Sequence, residues 1–188
     1  SAIVKDGSAF VREGRLTVRQ GPHIDTAQRL SEQDREESEN IMKKNPLLEL
    51  QDYGQSIWLD FIRRDLLESG RLEELIEEDG IRGVTVNPSI LDHAIRETDD
   101  YEGAIQKLLT EHKPPAKIYE ALAVEDVRGA ADALRPIYDG TDGHHGFVSL
   151  EVSPHLAHNT EGTIDEARRF WHEVDRPNLM IKVPATLE

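Results

Sequence analysis

From residue 45 onward the chain sets out four short aliphatic runs, each with a polar side chain near its end, separated by stretches with helical spacing. "SIWLDF" is the first run, and "RRDLLESGRLEELIEEDG" after it spaces Leu66, Leu67, Leu72, Leu75 and Ile76 for one helix that Gly80 would stop. "GVTV" is the second run, and "NPSILDHAI" turns at Asn87 and Pro88 into a helix whose first position suits proline. Residues 99–139 read as helical for most of their length, through Tyr101, Ile105, Leu108 and Leu109, then a break at Pro114 and Pro115, then Val127, Ala131, Leu134 and Tyr138. "GFVSLEV" is the third run. The helix after it has the capping-box spacing of Thr163 and Glu166 and an apolar stripe of Ile164, Ala167, Trp171 and Val174. "NLMIKVP" is the fourth. Strands separated by helices pair in parallel through right-handed crossovers. The fold class is therefore α/β, as an open doubly wound sheet or as a (β/α) barrel. "DFIRRDLL" stands after the first strand where a dinucleotide-binding fold would place its glycine-rich loop, which weakens that version.

Composition agrees with such a sheet. Hydrophobic residues make up 37% of the chain and aromatic residues only 5%, so the core must be aliphatic, as in helices packed on Val-, Ile- and Leu-rich strands. A formal charge of −15 repels phosphate backbones and anionic lipid, so neither nucleic acid nor a membrane surface is an expected partner. The chain has no cysteine, which excludes disulfides, thiolate catalysis and a cysteine-based zinc site and fits a reducing compartment. No run approaches the ~18 consecutive apolar residues of a membrane span, and the N-terminus lacks a basic-then-apolar leader, so a cytoplasmic location is expected. Residues 1–45 differ from the rest. "SAIVKDGSAFVREGRLTVRQG" offers short strands broken at Gly7, Gly14 and Gly21, and "SEQDREESENIMKK" reads as a solvated helix or linker. We expect an N-terminal extension without chemistry over 1–45 and the working domain over 46–188. Both ends, at Ser1 and Glu188, look cut.

Side chains two apart on a strand share a face. Trp58 and Asp60, Thr85 and Asn87, Ser149 and Glu151, and Met180 and Lys182 form four such pairs, each ending in a polar group near the C-terminal end of its strand. From Asp60 to Asn87, Glu151 and Lys182 the intervals are 27, 64 and 31 residues, against roughly 31 per βα unit in a barrel of about 250 residues. Parallel strands are covered on both faces, so charges there are costly unless they are paired or face a site. Strand C-terminal ends are where barrel active sites lie. A lysine among Leu179, Met180, Ile181 and Val183 is expected to be desolvated, which disfavours the ammonium form and frees an amine for imine formation with a ketone. Two nearby carboxylates could divide the proton work, one serving a substrate hydroxyl and the other the water lost at the carbinolamine.

"GQSIWLDFI", "GVTVNPSI", "FVSLEVSP" and "MIKVPAT", in this order and at these intervals, resemble the transaldolase family, in the bacterial branch whose first motif reads GQS-x-WLD. The resemblance covers about residues 45–188. It implies a (β/α)8 TIM-type barrel of which this chain holds about the first four βα units, and a Schiff-base enzyme of the pentose phosphate pathway without metal or organic cofactor. It also implies sugar phosphate substrates: a dihydroxyacetone unit passes from a ketose phosphate such as sedoheptulose 7-phosphate or fructose 6-phosphate to glyceraldehyde 3-phosphate. By the same resemblance Lys182 would form the imine, Asp60 would take the proton from the C4 hydroxyl, and Glu151 would act through a water during imine formation and hydrolysis. Asn87 would bond substrate hydroxyls and hold Lys182, with Thr85 and Ser149 as pocket neighbours. Val86 departs from the Ser or Thr common in the family, but its parity points it away from the site. The family's phosphate-binding residues would lie beyond Glu188, so the 188-residue chain alone is expected to be a poor enzyme. Two other readings fit the strand pattern: another Schiff-base barrel lyase, and a non-catalytic half barrel that self-associates through its open sheet edges.

Three further features are set aside. His155 and His158 have a spacing that two metal ligands can use, but they follow Pro154 in a loop with no further ligand cluster, so no metal is expected. His144 and His145 sit between glycines in a loop, and the acidic run Glu73, Glu74, Glu77, Glu78 and Asp79 reads as a solvated helix face.

Overall fold

Alternating burial along the strands organises the molecule. The computed structural model describes residues 45–186 and, as backbone, residues 3–5 and 8–11. Strands β1 (Ile3–Lys5) and β2 (Ser8–Val11) pair antiparallel, and β2 runs parallel to β3 (Ser56–Leu59). Strands β4 (Ile81–Thr85), β5 (Phe147–Glu151) and β6 (Leu179–Lys182) follow in chain order, all parallel, in one sheet. The four strands read from the sequence are thus β3 to β6. The breaks expected at Gly7, Gly14 and Gly21, and the polar stretch before Asn45, lie outside the described residues.

Helices fill the connections: α1 (Pro46–Asp52), α2 (Arg64–Glu68), α3 (Arg71–Glu78), α4 (Pro88–Glu97), α5 (Glu102–Thr110), α6 (Pro115–Gly140) and α7 (Thr160–Val174). Asparagines cap three of them. Asn45, Asn87 and Asn159 each accept a backbone N–H from the first turn, and Pro46 and Pro88 occupy the position where a missing N–H costs nothing. Ile57, Leu59, Val84, Val86, Val148, Leu150, Val152 and Leu179 point to the helices and form one buried cluster with Leu72, Leu91, Val127, Leu134, Phe170 and Val174. The parity that turns Val86 away from the polar strand ends places it in this core.

Several local expectations need correction. The single helix expected after β3 is two, because Gly70 adopts φ +77 and ends the first turn sequence before α3 begins. Thr163 and Glu166 do not cap α7, which starts earlier. Thr163 donates to the Leu156 carbonyl at 2.9 Å, and Glu166 accepts the Ser153 N–H at 2.6 Å, tying the helix to the loop after β5. The stripe on α7 is split: Val174 is buried and Ala167 packs partly buried against the core, whereas Ile164 and Trp171 stand 43% and 45% exposed, and the buried aromatic is Phe170, outside the expected stripe. Ile164 and Trp171 lie seven residues apart, on a partly exposed flank of the helix. The opposite face of the sheet is open too. Met180 is 44% exposed, so the expected burial on both faces fails at β6. Where that inner face does pack, it packs closely: Trp58 lies across from Gly83, and a Cβ there would come within 2.5 Å of the indole ring.

Candidate active site

The inner face carries the polar residues, and strand register decides which of them meet. Thr85 pairs with Ser149 across β4 and β5, and Glu151 pairs with Lys182 across β5 and β6. Side chains on directly opposed residues leave the sheet side by side. Accordingly the Lys182 ammonium lies 3.2 Å from the Glu151 carboxylate and donates to the Thr85 hydroxyl at 3.4 Å. The same hydroxyl accepts a hydrogen bond from Ser149 at 2.8 Å. Thr85 and Ser149 are buried, at 7% and 4% exposure, and form a rigid floor. Lys182 and Glu151 are not buried: their side chains are 40% and 28% exposed. The desolvation expected of Lys182 is therefore not seen among the described residues: Leu179 and Ile181 alternate to the helix side, whereas Met180 shares the open face with Lys182 and, like Val183, is itself exposed. Its amine has a carboxylate for a neighbour, and the pair is reachable by a small molecule.

Asn87 and Asp60 stand apart from this group. The Asn87 carboxamide oxygen accepts the Ile90 N–H at 3.0 Å and the Ser89 hydroxyl at 2.6 Å, so it caps α4 and makes no hydrogen bond to Lys182. Asp60 directly follows β3, is half-buried, and has no hydrogen-bond or ion-pair partner among the described residues. It opens onto a groove of about 660 Å³ whose walls are the Asp60, Phe61 and Arg63 loop on one side and Ser89, Ile90, His93 and Glu97 of α4 on the other. Arg63 is turned back onto Asp65 by a bidentate contact, which holds the Asp65 carboxyl below the usual range. Tyr119 of α6 reaches this end of the sheet and donates to the Pro88 carbonyl at 3.2 Å. Burial, with the negative charges of Asp92 and Glu151, pushes its phenol up to about 12.

Sequence reasoning missed a buried polar cluster just behind Asp60. Arg64, Tyr101 and Asp126 are 8%, 0% and 2% exposed. Arg64 bonds Asp126 through Nε at 3.0 Å and Nη2 at 2.8 Å, and Tyr101 donates to the other Asp126 oxygen at 2.7 Å. Burial pushes the Asp126 carboxyl up, while its bonds to Tyr101 and Arg64 act against that shift. Burial alone would lower Arg64, yet the hydrogen bond and charge of Asp126 outweigh it and raise the guanidinium instead. Three donors on one carboxylate favour its ionised form, so we treat the cluster as a charged pair capped by a phenol. The one available sequence signal was Asp126 itself, a charge beside Val124 and Val127 on the buried stripe of α6.

The order of these strands and the placement of the strand-end residues can be set beside known proteins. A family model described as Transaldolase/Fructose-6-phosphate aldolase matches residues 57–188. The chain belongs to this family. It is 47% identical over 145 residues to Transaldolase 2 of Nostoc punctiforme, covering 77% of this chain and 38% of that protein. With the transaldolase of Thiobacillus denitrificans it shares 50% identity over 135 residues, 72% of this chain and 38% of the relative. With that of Thermobifida fusca the figures are 49% over 144 residues, 77% and 39%. The chain thus spans under two fifths of the length of these curated relatives. Membership in the transaldolase family makes the fold α/β of the (β/α)8 barrel type, and β3 to β6 with their helices are a part of that barrel. Among the described residues no helix is long and apolar enough to cross a membrane.

Proposed function

We propose that this chain carries the covalent chemistry of a transaldolase, moving a dihydroxyacetone unit from a ketose phosphate, sedoheptulose 7-phosphate or fructose 6-phosphate, to an aldose phosphate in the pentose phosphate pathway. The observation that carries the reading is the Lys182 amine 3.2 Å from Glu151 at the C-terminal ends of adjacent parallel strands, the end of a barrel that bears active sites. The names of the relatives point the same way. Residues 46–188 hold the working groups, residues 1–45 are an extension, and the cysteine-free composition suits the cytoplasm.

In this reading Glu151 takes a proton from the Lys182 ammonium when substrate covers the pair. The free amine attacks the C2 carbonyl, and the carbinolamine hydroxyl leaves as water with a proton returned by Glu151. The resulting iminium is the electron sink. Asp60 removes the C4 hydroxyl proton, the C3–C4 bond breaks with its electrons flowing to the iminium, and the aldose phosphate departs. An incoming aldehyde reverses these steps: the C3 carbon attacks it, Asp60 returns a proton to the new alkoxide, and hydrolysis frees Lys182. Ser149 and Thr85 fix the amine from below, and the Asn87 side chain, with its oxygen held by α4, presents its amide toward substrate hydroxyls.

The test is an isotope experiment on the native polypeptide that contains residues 1–188. Fructose 6-phosphate labelled in C1–C3 is mixed with an acceptor aldose phosphate. Label appearing in a new ketose phosphate, with little free dihydroxyacetone, supports transfer. Label released as free dihydroxyacetone identifies the aldolase reading that the family description also covers, and no exchange at all removes both.

A further inference from the structure

Asp60 stands on a loop held in an unusual way. Only Phe61, Ile62 and Arg63 separate it from α2, and Ile62 is fully buried. α2 has five residues, and Arg63 before it supplies no side-chain cap. The Arg64 N–H donates instead to the Tyr101 hydroxyl at 3.1 Å, across 37 residues of sequence. That hydroxyl donates onward to Asp126, which closes the ring by accepting from the Arg64 guanidinium. The guanidinium also lies 4.9 Å from the centre of the Tyr101 ring. Every bond in this ring is buried, and each bears on the residue where the Asp60 loop enters its helix.

Stability does not require such a cluster, because a buried charged pair replaced by apolar side chains of similar volume is often neutral or better. Apolar side chains could not, however, fix one backbone N–H in one direction. Tyr101 follows α4 through a short turn, Asp99–Tyr101. Since α4 is one wall of the groove beside Asp60 and the Asp60 loop is the other, the Tyr101 hydroxyl ties the two walls together.

We propose that Tyr101 is a positioning residue that, through the Arg64 N–H and with Asp126 behind it, sets the height of the strand-end loop and aims the Asp60 carboxylate at the substrate. The inference rests on the proton-transfer role proposed for Asp60. It does not rest on the identity of the aldehyde acceptor.

The experiment uses the native polypeptide and three variants: Tyr101→Phe, Asp60→Asn and the double variant. Two quantities are read with fructose 6-phosphate: the fraction of Lys182 tagged by borohydride, and the rate of carbon–carbon cleavage per taggable site. Normalising to tagged sites removes molecules that fail to fold. Tyr101→Phe should keep tagging within about twofold and slow cleavage about tenfold, the scale expected when a catalytic group is misplaced by a fraction of an ångström. In the Asp60→Asn background the same change should slow cleavage no further, since Tyr101 acts through Asp60. Equal loss of tagging and cleavage, no tagging at all in Tyr101→Phe, or full additivity in the double variant makes the cluster merely structural and overturns the proposal. Slow cleavage in Asp60→Asn with wild-type cleavage in Tyr101→Phe overturns the proposal alone. Wild-type cleavage in Asp60→Asn overturns both it and the role of Asp60.

Discussion

Two cation–carboxylate pairs in this molecule look alike on paper and behave as opposites. Arg64 and Asp126 are 9% and 2% exposed, and Asp126 receives two bonds from the guanidinium and one from Tyr101. Lys182 and Glu151 are 40% and 28% exposed, meet at 3.2 Å, and have one further long contact from Lys182 to Thr85. The first pair has given up water and must keep its partners, because a lone buried charge costs several kcal/mol. The second keeps much of its hydration, so it can part, exchange a proton and admit a substrate. In the proposed reading the buried pair, with both carboxylate oxygens bonded, serves geometry, and the half-exposed pair at the strand ends serves chemistry.

Lys182→Ala should break the comparison hardest if the contrast is wrong. We expect at least a ~10³-fold fall in transfer, about 4 kcal/mol in the barrier, with unfolding free energy changed by less than about 1 kcal/mol because the pair is partly solvated. A parallel loss of stability in urea titrations would show that the pair is structural. Asp126→Ala is the mirror image: removing one member of a buried pair should cost about 3 kcal/mol in the same titration. A cost near zero would mean that the cluster holds nothing.

Glu151→Gln sharpens the chemical half. Imine formation, followed by rapid-quench borohydride trapping, should slow about 10²-fold, with stability within about 0.5 kcal/mol of wild type. The smallest effect belongs to a third pair on the surface. Arg176 bonds Asp132 at 2.5 Å, chiefly through this hydrogen bond holding the carboxyl below its usual range. A depressed carboxylate stabilises the fold above its unfolded value near pH 4 and loses that contribution as pH falls through the lowered one. Asp132 is 54% exposed, so solvent screens the pair, and Asp132→Asn should cost only about 0.5 kcal/mol at pH 7. That difference between wild type and variant should shrink as pH falls through the lowered carboxyl value.

The pair proposed for the chemistry was legible in the sequence and the buried one was not, for a physical reason. Period-two alternation puts Glu151 and Lys182 on one face of neighbouring strands, and their polarity against aliphatic flanks is a local contrast visible in a few letters. Their exposure was not visible, since it depends on what covers the inner face, and at β6, where Met180 is 44% exposed, little among the described residues does. Arg64 finds Tyr101 across 37 residues and Asp126 across 62, distances over which no periodic pattern speaks. The helix break at Gly70 failed to register because an apolar spacing continues through it on both sides. Thr163 and Glu166 had the letters of a capping box, but Asn159 lies nearer the preceding loop and took the cap first.

Borohydride reduction of the native polypeptide in the presence of fructose 6-phosphate, followed by peptide mapping, addresses the central claim without any variant. A single adduct is expected, of the mass of a reduced ketose phosphate or of its dihydroxyacetone remnant, on the peptide that contains Lys182. An adduct on any other lysine, or none, would contradict that claim.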